Sequence, residues 1–181
     1  MTEASAQAPP IQLPCWWRDP DPVDGVTEIE LPSKKYLRAR WDADILDTDD
    51  KNIHDTIIDH NDTFRVRFRV QLDGRLWTCI CGNWCFDLCF LPICGGPGFC
   101  LYSVLPDDLK SKLRINDWKG CQTRCIYVYF DVPPGTIPVE YCGSLYEVGA
   151  KFELRCCGYC DDPDSQLAVA GHEDLEQYMF V

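Results

Sequence analysis

The chain has 181 residues, of which 46% are hydrophobic, and its net charge at pH 7 is −12. This length and composition predict one globular domain with an apolar core and exclude global disorder. The negative charge argues against binding to nucleic acid or to anionic membrane surfaces, because their phosphate groups would repel the protein.

Residues 1–25 are predicted to form an extended arm, because five prolines disfavour helix and favour polyproline-like backbone. Cys15, Trp16 and Trp17 form an apolar anchor within this arm. The two tryptophans either fold back onto the domain or bind a neighbouring subunit. The first ten residues lack a basic region and an apolar stretch, so they do not predict a secretory signal, and the cytoplasm is the default location.

From residue 26 onward, apolar and polar residues alternate with a period of two, which is typical of antiparallel strands with one buried face. The clearest segments are 36–45, 63–71, 124–132 and 151–157. Arg65, Arg67 and Arg69 would lie on an outer face, either paired across strands with Asp42 and Asp44 or meeting an acidic partner.

Turn residues separate these segments, and the only helix candidate is a short turn at 106–112. Seven or eight short strands with this spacing predict an all-β fold for residues 26–181. We expect an antiparallel two-sheet β-sandwich, with an open β-barrel as the alternative.

Cysteine is the most unusual feature of the composition, with thirteen in the chain. Such a number is typical of a disulfide-linked domain in an oxidising compartment, although no signal peptide is apparent. A metal site in a reducing compartment is the competing use. The candidates for disulfide or metal bonding are Cys79, Cys81, Cys85, Cys89, Cys94, Cys100, Cys121, Cys125, Cys142, Cys156, Cys157 and Cys160.

Residues 79–90 are interpreted as a hairpin with its two-residue turn at 82–83. In this interpretation Cys79 and Cys81 face the core, whereas Cys85 and Cys89 flank Asp87 on the opposite face. A bulge at residue 83 would reverse these assignments.

Disulfides are not expected within a single strand. Residues two apart in a strand are separated by about 6.6 Å and residues four apart by about 13 Å, and their side chains do not converge. Bridges should therefore cross strands or reach into loops, for example from Cys94 or Cys100 in the glycine-rich loop.

Zinc would require short cysteine knuckles, for which the candidates are 81–85, 121–125 and 157–160. No second pair lies at ordinary zinc-ribbon spacing from the last of these, so the pattern is weak. No run of three cysteines matches the ferredoxin spacings of an iron–sulfur cluster.

A calcium site is a further candidate, because Asp47, Asp49, Asp50 and Asp55 offer hard oxygen ligands within one acidic loop. The loop departs from the EF-hand pattern, and a solvated acidic loop is the plainer interpretation. His54 and His60 border the loop and could bind a transition metal together with a carboxylate.

No catalytic constellation is apparent, so the sequence does not predict an enzyme. It predicts a structural or interaction β-sandwich that assembles with itself or with a protein partner through the arm and cysteine cross-links. We expect an oligomer that neither binds nucleic acid nor inserts into membranes. The alternatives are a cytoplasmic metalloprotein with a cysteine-ligated zinc or iron–sulfur site and a calcium-dependent ligand-binding module. No cofactor is firmly predicted, and zinc is favoured over calcium.

Overall fold

The computed structural model describes residues 26–28, 37–48, 56–139, 144–156, 160 and 166–181. Within them the chain forms ten strands and two short α-helices. The strands are β1 (Val26–Glu28), β2 (Arg38–Leu46), β3 (Ile57–Ile58), β4 (Phe64–Asp73), β5 (Cys81–Pro92), β6 (Phe99–Cys100), β7 (Arg114–Lys119), β8 (Cys125–Val132), β9 (Ser144–Cys156) and β10 (Gln166–Phe180). The helices are α1 (Leu101–Val104) and α2 (Asp107–Lys110). Several candidates named above lie outside the described residues: Cys15, Trp16, Trp17, Asp49, Asp50, His54, Asp55, Cys142 and Cys157.

The strands form two sheets, as the sequence predicts. The larger sheet has seven strands in the order β1-β10-β9-β5-β6, with β3 also pairing with β10 and β7 with β5. The smaller sheet has three strands in the order β2-β4-β8. Pairing is antiparallel except for the short contact between β3 and β10. The larger sheet curls like half a barrel, so the all-β sandwich prediction is confirmed and the barrel alternative describes part of its shape.

The smaller sheet follows the predicted alternation. In β4, Phe64, Val66 and Phe68 are buried, and the arginines between them are partly exposed. β-branched and aromatic residues suit this half-buried pleated surface. Strand β4 lies between β2 and β8 and is hydrogen-bonded to both.

Ion pairs cross the outer face of this smaller sheet. Arg67 donates to Asp44 with an N···O distance of 2.7 Å, and Arg69 Nε donates to Asp42 at 2.7 Å. The predicted cross-strand charge pairing is therefore confirmed. Burial raises the pKa of Asp42, and the adjacent Arg69 opposes that effect.

Aromatic contacts join the two sheets through the core. The ring centroids of Phe68 in β4 and Phe86 in β5 are 5.3 Å apart. Those of Trp41 in β2 and Phe152 in β9 are 4.9 Å apart in an edge-to-face arrangement. Such pairs contribute roughly 0.5–1.5 kcal/mol each beyond the burial of their apolar area.

The predicted hairpin turn at 82–83 is wrong, because both residues lie inside β5. Gly82 lies so close to the backbone of Arg155 in β9 that no side chain would fit there, so this glycine permits close strand pairing. The pairing of β5 with β7 is irregular between Gly82 and Trp84. Cys79 lies in the 3₁₀ turn Trp77–Cys79 and Cys81 begins β5. Both are exposed, so the prediction that they face the core is also wrong.

Helix is found where it is expected and at one further place. Helix α2 and the 3₁₀ turn Ser111–Leu113 occupy the predicted segment. Helix α1 was not predicted, because four residues are too few to show helical periodicity. Neither helix of the described residues has the length and apolar character needed to cross a bilayer.

Gly171 in β10 offers a test of the core. A Cβ there would come within 2.9 Å of Trp41 Nε1 and would clash with the ring of Phe152, its partner in β9. We expect Gly171→Ala to lower the free energy of unfolding by about 2 kcal/mol, as overpacking of a filled core does.

Gly149 in β9 is the matched control, because a Cβ there would meet its nearest atoms at 3.8 Å and 3.9 Å. We expect Gly149→Ala to change stability by less than about 0.5 kcal/mol. Urea unfolding of the oxidised proteins measures both effects, and equal stability of the two variants would contradict the described packing.

Candidate functional site

The outer face of β5 carries a compact set of functional groups. Cys85, Asp87 and Cys89 are alternate residues of the strand, so their side chains leave the same face at intervals of about 6.6 Å. The neighbouring residues Phe86 and Leu88 point into the core and are fully buried. This arrangement matches the predicted placement of the two cysteines on either side of Asp87.

Both cysteines form disulfides. Cys89 lies opposite Cys100 of β6 and is bonded to it, with a Cα–Cα distance of 3.9 Å. Cys85 is bonded to Cys160, with a Cα–Cα distance of 5.7 Å. The first bridge crosses strands at the end of the glycine-rich loop, one of the routes suggested by the sequence.

The two bridges close loops of different length. Cys85–Cys160 spans 75 residues, for which loop-closure entropy predicts a stabilisation of about 4 kcal/mol. Cys89–Cys100 spans 11 residues, for which the same model gives about 3 kcal/mol. Opening the shorter bridge should therefore cost the fold less.

Asp87 lies between the two bridges and is buried, with 7% of its surface exposed. The backbone N–H of Tyr102 in α1 donates to its Oδ1 with an N···O distance of 2.9 Å. Burial raises the pKa of Asp87, although this hydrogen bond and the charges of Lys151 and Arg114 act in the opposite direction. The Tyr102 N–H thus orients the carboxyl group. When ionised, the carboxylate carries a negative charge close to the positive charges of Lys151 and Arg114.

Arg114 at the start of β7 holds the segment around Tyr102 against β5. Its Nη1 donates to the carbonyl oxygen of Phe86 with an N···O distance of 3.0 Å. Its guanidinium carbon lies 3.8 Å from the centre of the Tyr102 ring, which is a cation–π contact. Tyr102 and Arg114, which are 12 positions apart in the sequence, therefore both lie next to the Asp87 carboxyl group.

A polar cavity of about 220 Å³ opens at this place. Asp87, Arg114 and Lys151 line it together with Glu153 and Arg155, which form an ion pair with an N···O distance of 2.7 Å. The cavity therefore holds positive and negative groups in similar number.

A larger groove lies on the other side of the Cys89–Cys100 bridge and has a volume of about 630 Å³. We call it the Gly149 groove, because Gly149 lies directly opposite Cys89 and contributes no side chain to fill the space. Leu91 and Phe99 provide apolar wall, and Glu147 and Asp174 provide acidic groups. Its volume lies within the range of about 300–1,000 Å³ that is usual for ligand pockets.

The other described cysteines do not join this set. Exposed free thiols are found at Cys79, Cys81, Cys94 and Cys121. Cys125 is disulfide-bonded. Cys156 is half-buried, and its Sγ lies 3.0 Å from the carbonyl oxygen of Cys81. In each of the three proposed zinc knuckles one cysteine forms a disulfide, namely Cys85, Cys125 and Cys160, and that cysteine is therefore not a thiolate ligand in the oxidised protein.

The acidic loop and its histidines are seen in part. Asp47 is described and half-buried, while the remaining calcium candidates lie outside the described residues. His60 Nδ1 lies 3.0 Å from the carbonyl oxygen of Val181, so this histidine contacts the end of the chain. Within the described residues, the metal-ligand group close enough to hold an ion is Asp87, Cys89 and Cys100.

Sequence reasoning placed Asp87 between two cysteines but missed its partners. Tyr102, Arg114 and Lys151 reach it from α1, β7 and β9. The one indication in the sequence was an aspartate inside an otherwise apolar segment. A buried carboxylate needs hydrogen bonds or an opposite charge, so partners of this kind are expected near it.

Comparison with known proteins found no protein-family model, curated protein or solved structure that matches this chain.

Asp87 predicts a pH dependence of stability. Its native pKa is raised above the ordinary value of 3.8, so the native state binds the proton more tightly than the unfolded state. The contribution of Asp87 to stability therefore falls as the pH rises from about 3.8 through the raised pKa, with a slope of at most about 1.4 kcal/mol per pH unit.

Asp87→Asn removes this titration while keeping an oxygen that accepts from the Tyr102 N–H. We expect the variant to gain stability relative to the wild type as the pH rises through that window. Urea unfolding of both proteins between pH 3.5 and 7 measures the difference. A difference that is the same at every pH would contradict the expected shift.

Proposed function

We propose that this chain is a non-catalytic β-sandwich that binds another protein through the Gly149 groove. The observation that carries the proposal is an open groove of about 630 Å³ on the outer face of the larger sheet, bordered by a disulfide. The proposal keeps the interaction role expected from the sequence. It assigns that role to a surface of the domain, and the predicted role of the arm stays a separate prediction.

Rigidity supports a binding role. Cys89–Cys100 joins β5 to β6 at one wall of the groove, while β9 provides the floor. The hydroxyl of Ser103, another lining residue, donates to the carbonyl oxygen of Cys100 with an O···O distance of 2.6 Å. A wall fixed in this way lowers the conformational entropy that is lost on binding.

Charge and apolar surface indicate the kind of partner. Leu91 is 53% exposed and lines the groove together with Phe99, so the groove offers apolar surface to a partner. Glu147 and Asp174 are exposed acidic residues of the same groove, and the whole chain carries a charge of −12. An extended protein segment with an apolar side chain next to a lysine or arginine fits these features best.

The test fills the groove with a side chain. Gly149→Leu should be tolerated by the fold, because a Cβ at this position meets only ordinary contacts at 3.8 Å and 3.9 Å. A phage-displayed library of random twelve-residue peptides serves as the probe. We expect wild-type protein to enrich peptides with basic and apolar residues, and Gly149→Leu to weaken their binding at least tenfold, or about 1.4 kcal/mol.

Charge variants refine the same experiment. The double variant Glu147→Lys/Asp174→Lys should also lose binding. Asp62→Lys/Asp108→Lys, which reverses two exposed charges outside the groove lining, should keep it. Circular dichroism and thermal melting check that all variants fold alike. Failure to enrich any peptide, or full binding by Gly149→Leu, would count against the proposal.

A further inference from the structure

Three metal-ligating side chains converge on the outer face of β5. The ligand atoms of Asp87, Cys89 and Cys100 all lie within 4.8 Å of one another. Asp87 and Cys89 share this face because they are two residues apart in β5, and Cys100 lies directly opposite Cys89 in β6. The sheet itself therefore brings the three groups together.

We propose that reduction of the Cys89–Cys100 disulfide converts this cluster into a Zn²⁺ site. In the oxidised protein the two sulfurs are bonded to each other and are poor ligands. In the reduced protein two thiolates and the Asp87 carboxylate would supply three protein ligands and leave a fourth position for water. Natural zinc sites that keep one position open have three protein ligands and a water in the fourth position.

The chemistry balances with a dithiol as the reductant. Its two sulfurs form a new disulfide as the sulfur–sulfur bond between Cys89 and Cys100 breaks, and its two protons pass to the two released sulfurs. Zn²⁺ then replaces both protons, which go to the solvent, because cysteine binds the metal as the thiolate.

The geometry requires little movement. In a tetrahedral site with Zn–S bonds of about 2.3 Å and a Zn–O bond of about 2.1 Å, the donor atoms lie about 3.6–3.8 Å apart. The present separations of up to 4.8 Å reach this arrangement by side-chain rotation once the sulfur–sulfur bond is broken. Thiolate and carboxylate together suit zinc better than calcium or magnesium, which prefer oxygen ligands.

The surroundings of the cluster fit a cation. Two thiolates and one carboxylate carry a total charge of −3, so the complex with Zn²⁺ has a net charge of −1. The positive side chains of Lys151 and Arg114 lie near this negative charge. The Tyr102 N–H already orients the carboxylate by donating to Oδ1 at 2.9 Å. Such hydrogen bonds to a ligand fix its direction and strengthen metal binding.

The Cys89–Cys100 disulfide is accessible to a reductant, and the fold should remain stable after its reduction. Cys89 and Cys100 are half-buried and line the Gly149 groove, so a small dithiol can reach their sulfurs. Cys85, by contrast, is buried, and its bridge to Cys160 closes a loop of 75 residues. We expect the second bridge and the aromatic core to maintain the fold when the first bridge opens.

The test compares oxidised and reduced protein. The full chain is treated with dithiothreitol, freed of reductant without air, and titrated with Zn²⁺ in a calorimeter. Co²⁺ then serves as a spectroscopic probe, because its visible spectrum reports tetrahedral geometry and thiolate ligation. We expect one additional metal per chain after reduction. Binding already present in the oxidised protein would belong to the exposed free thiols.

Variants identify the ligands. We expect Cys89→Ser/Cys100→Ser to abolish the additional site and Asp87→Asn to weaken it at least tenfold. The control Cys79→Ser/Cys121→Ser alters two exposed free thiols and should keep it. No additional metal after reduction, or undiminished binding by Cys89→Ser/Cys100→Ser, would overturn the proposal. Loss of the site in the control would also overturn it.

The metal site and the groove proposal fail in different ways. Peptide binding to the oxidised protein depends on Gly149 and needs no metal. Metal binding to the reduced protein depends on Asp87 and two sulfurs and needs no peptide. A negative result in one experiment therefore leaves the other unaffected.

Discussion

The alternation of side chains along β5 is the constraint on which the other features depend. One face carries Trp84 and Phe86 into the contact between the sheets, and the other carries Asp87 between two disulfide-bonded cysteines. A shift of one residue in the pairing of β5 with β9 would move the carboxyl group into the aromatic core. Core packing and site geometry are therefore specified by the same register.

The buried carboxyl group also organises the chain between β6 and β7. The beginning of this segment is joined to β5 by the disulfide between Cys100 and Cys89. Its end is joined to β5 by the hydrogen bond that Arg114 donates to the carbonyl oxygen of Phe86. Tyr102 contacts Asp87 between these two points. A segment with only two short helices thus gains a defined position from three contacts with one strand, and those contacts are polar or covalent.

The sequence predicted the parts of the fold that have a local signal. Strands β2, β4 and β8 show period-two alternation because one face meets the core and the other meets solvent, and the charged pairs on their outer face followed from the same pattern. The error at 82–83 arose because glycine followed by asparagine is typical of a hairpin turn. Only the pairing of β5 with β7 and β9 shows that this glycine permits close strand contact. The partners of Asp87 could not be predicted, because they are distant in sequence and have no period or motif.

The Cys85–Cys160 bridge has a mechanical consequence. In the oxidised protein this bridge joins residues 85 and 160 directly, so the 75-residue loop between them is closed at both ends. That loop contains β6, β7, β8 and β9. At about 3.5 Å per extended residue, the loop holds roughly 260 Å of chain. The 75-residue loop therefore cannot be extended from end to end until the bridge is reduced.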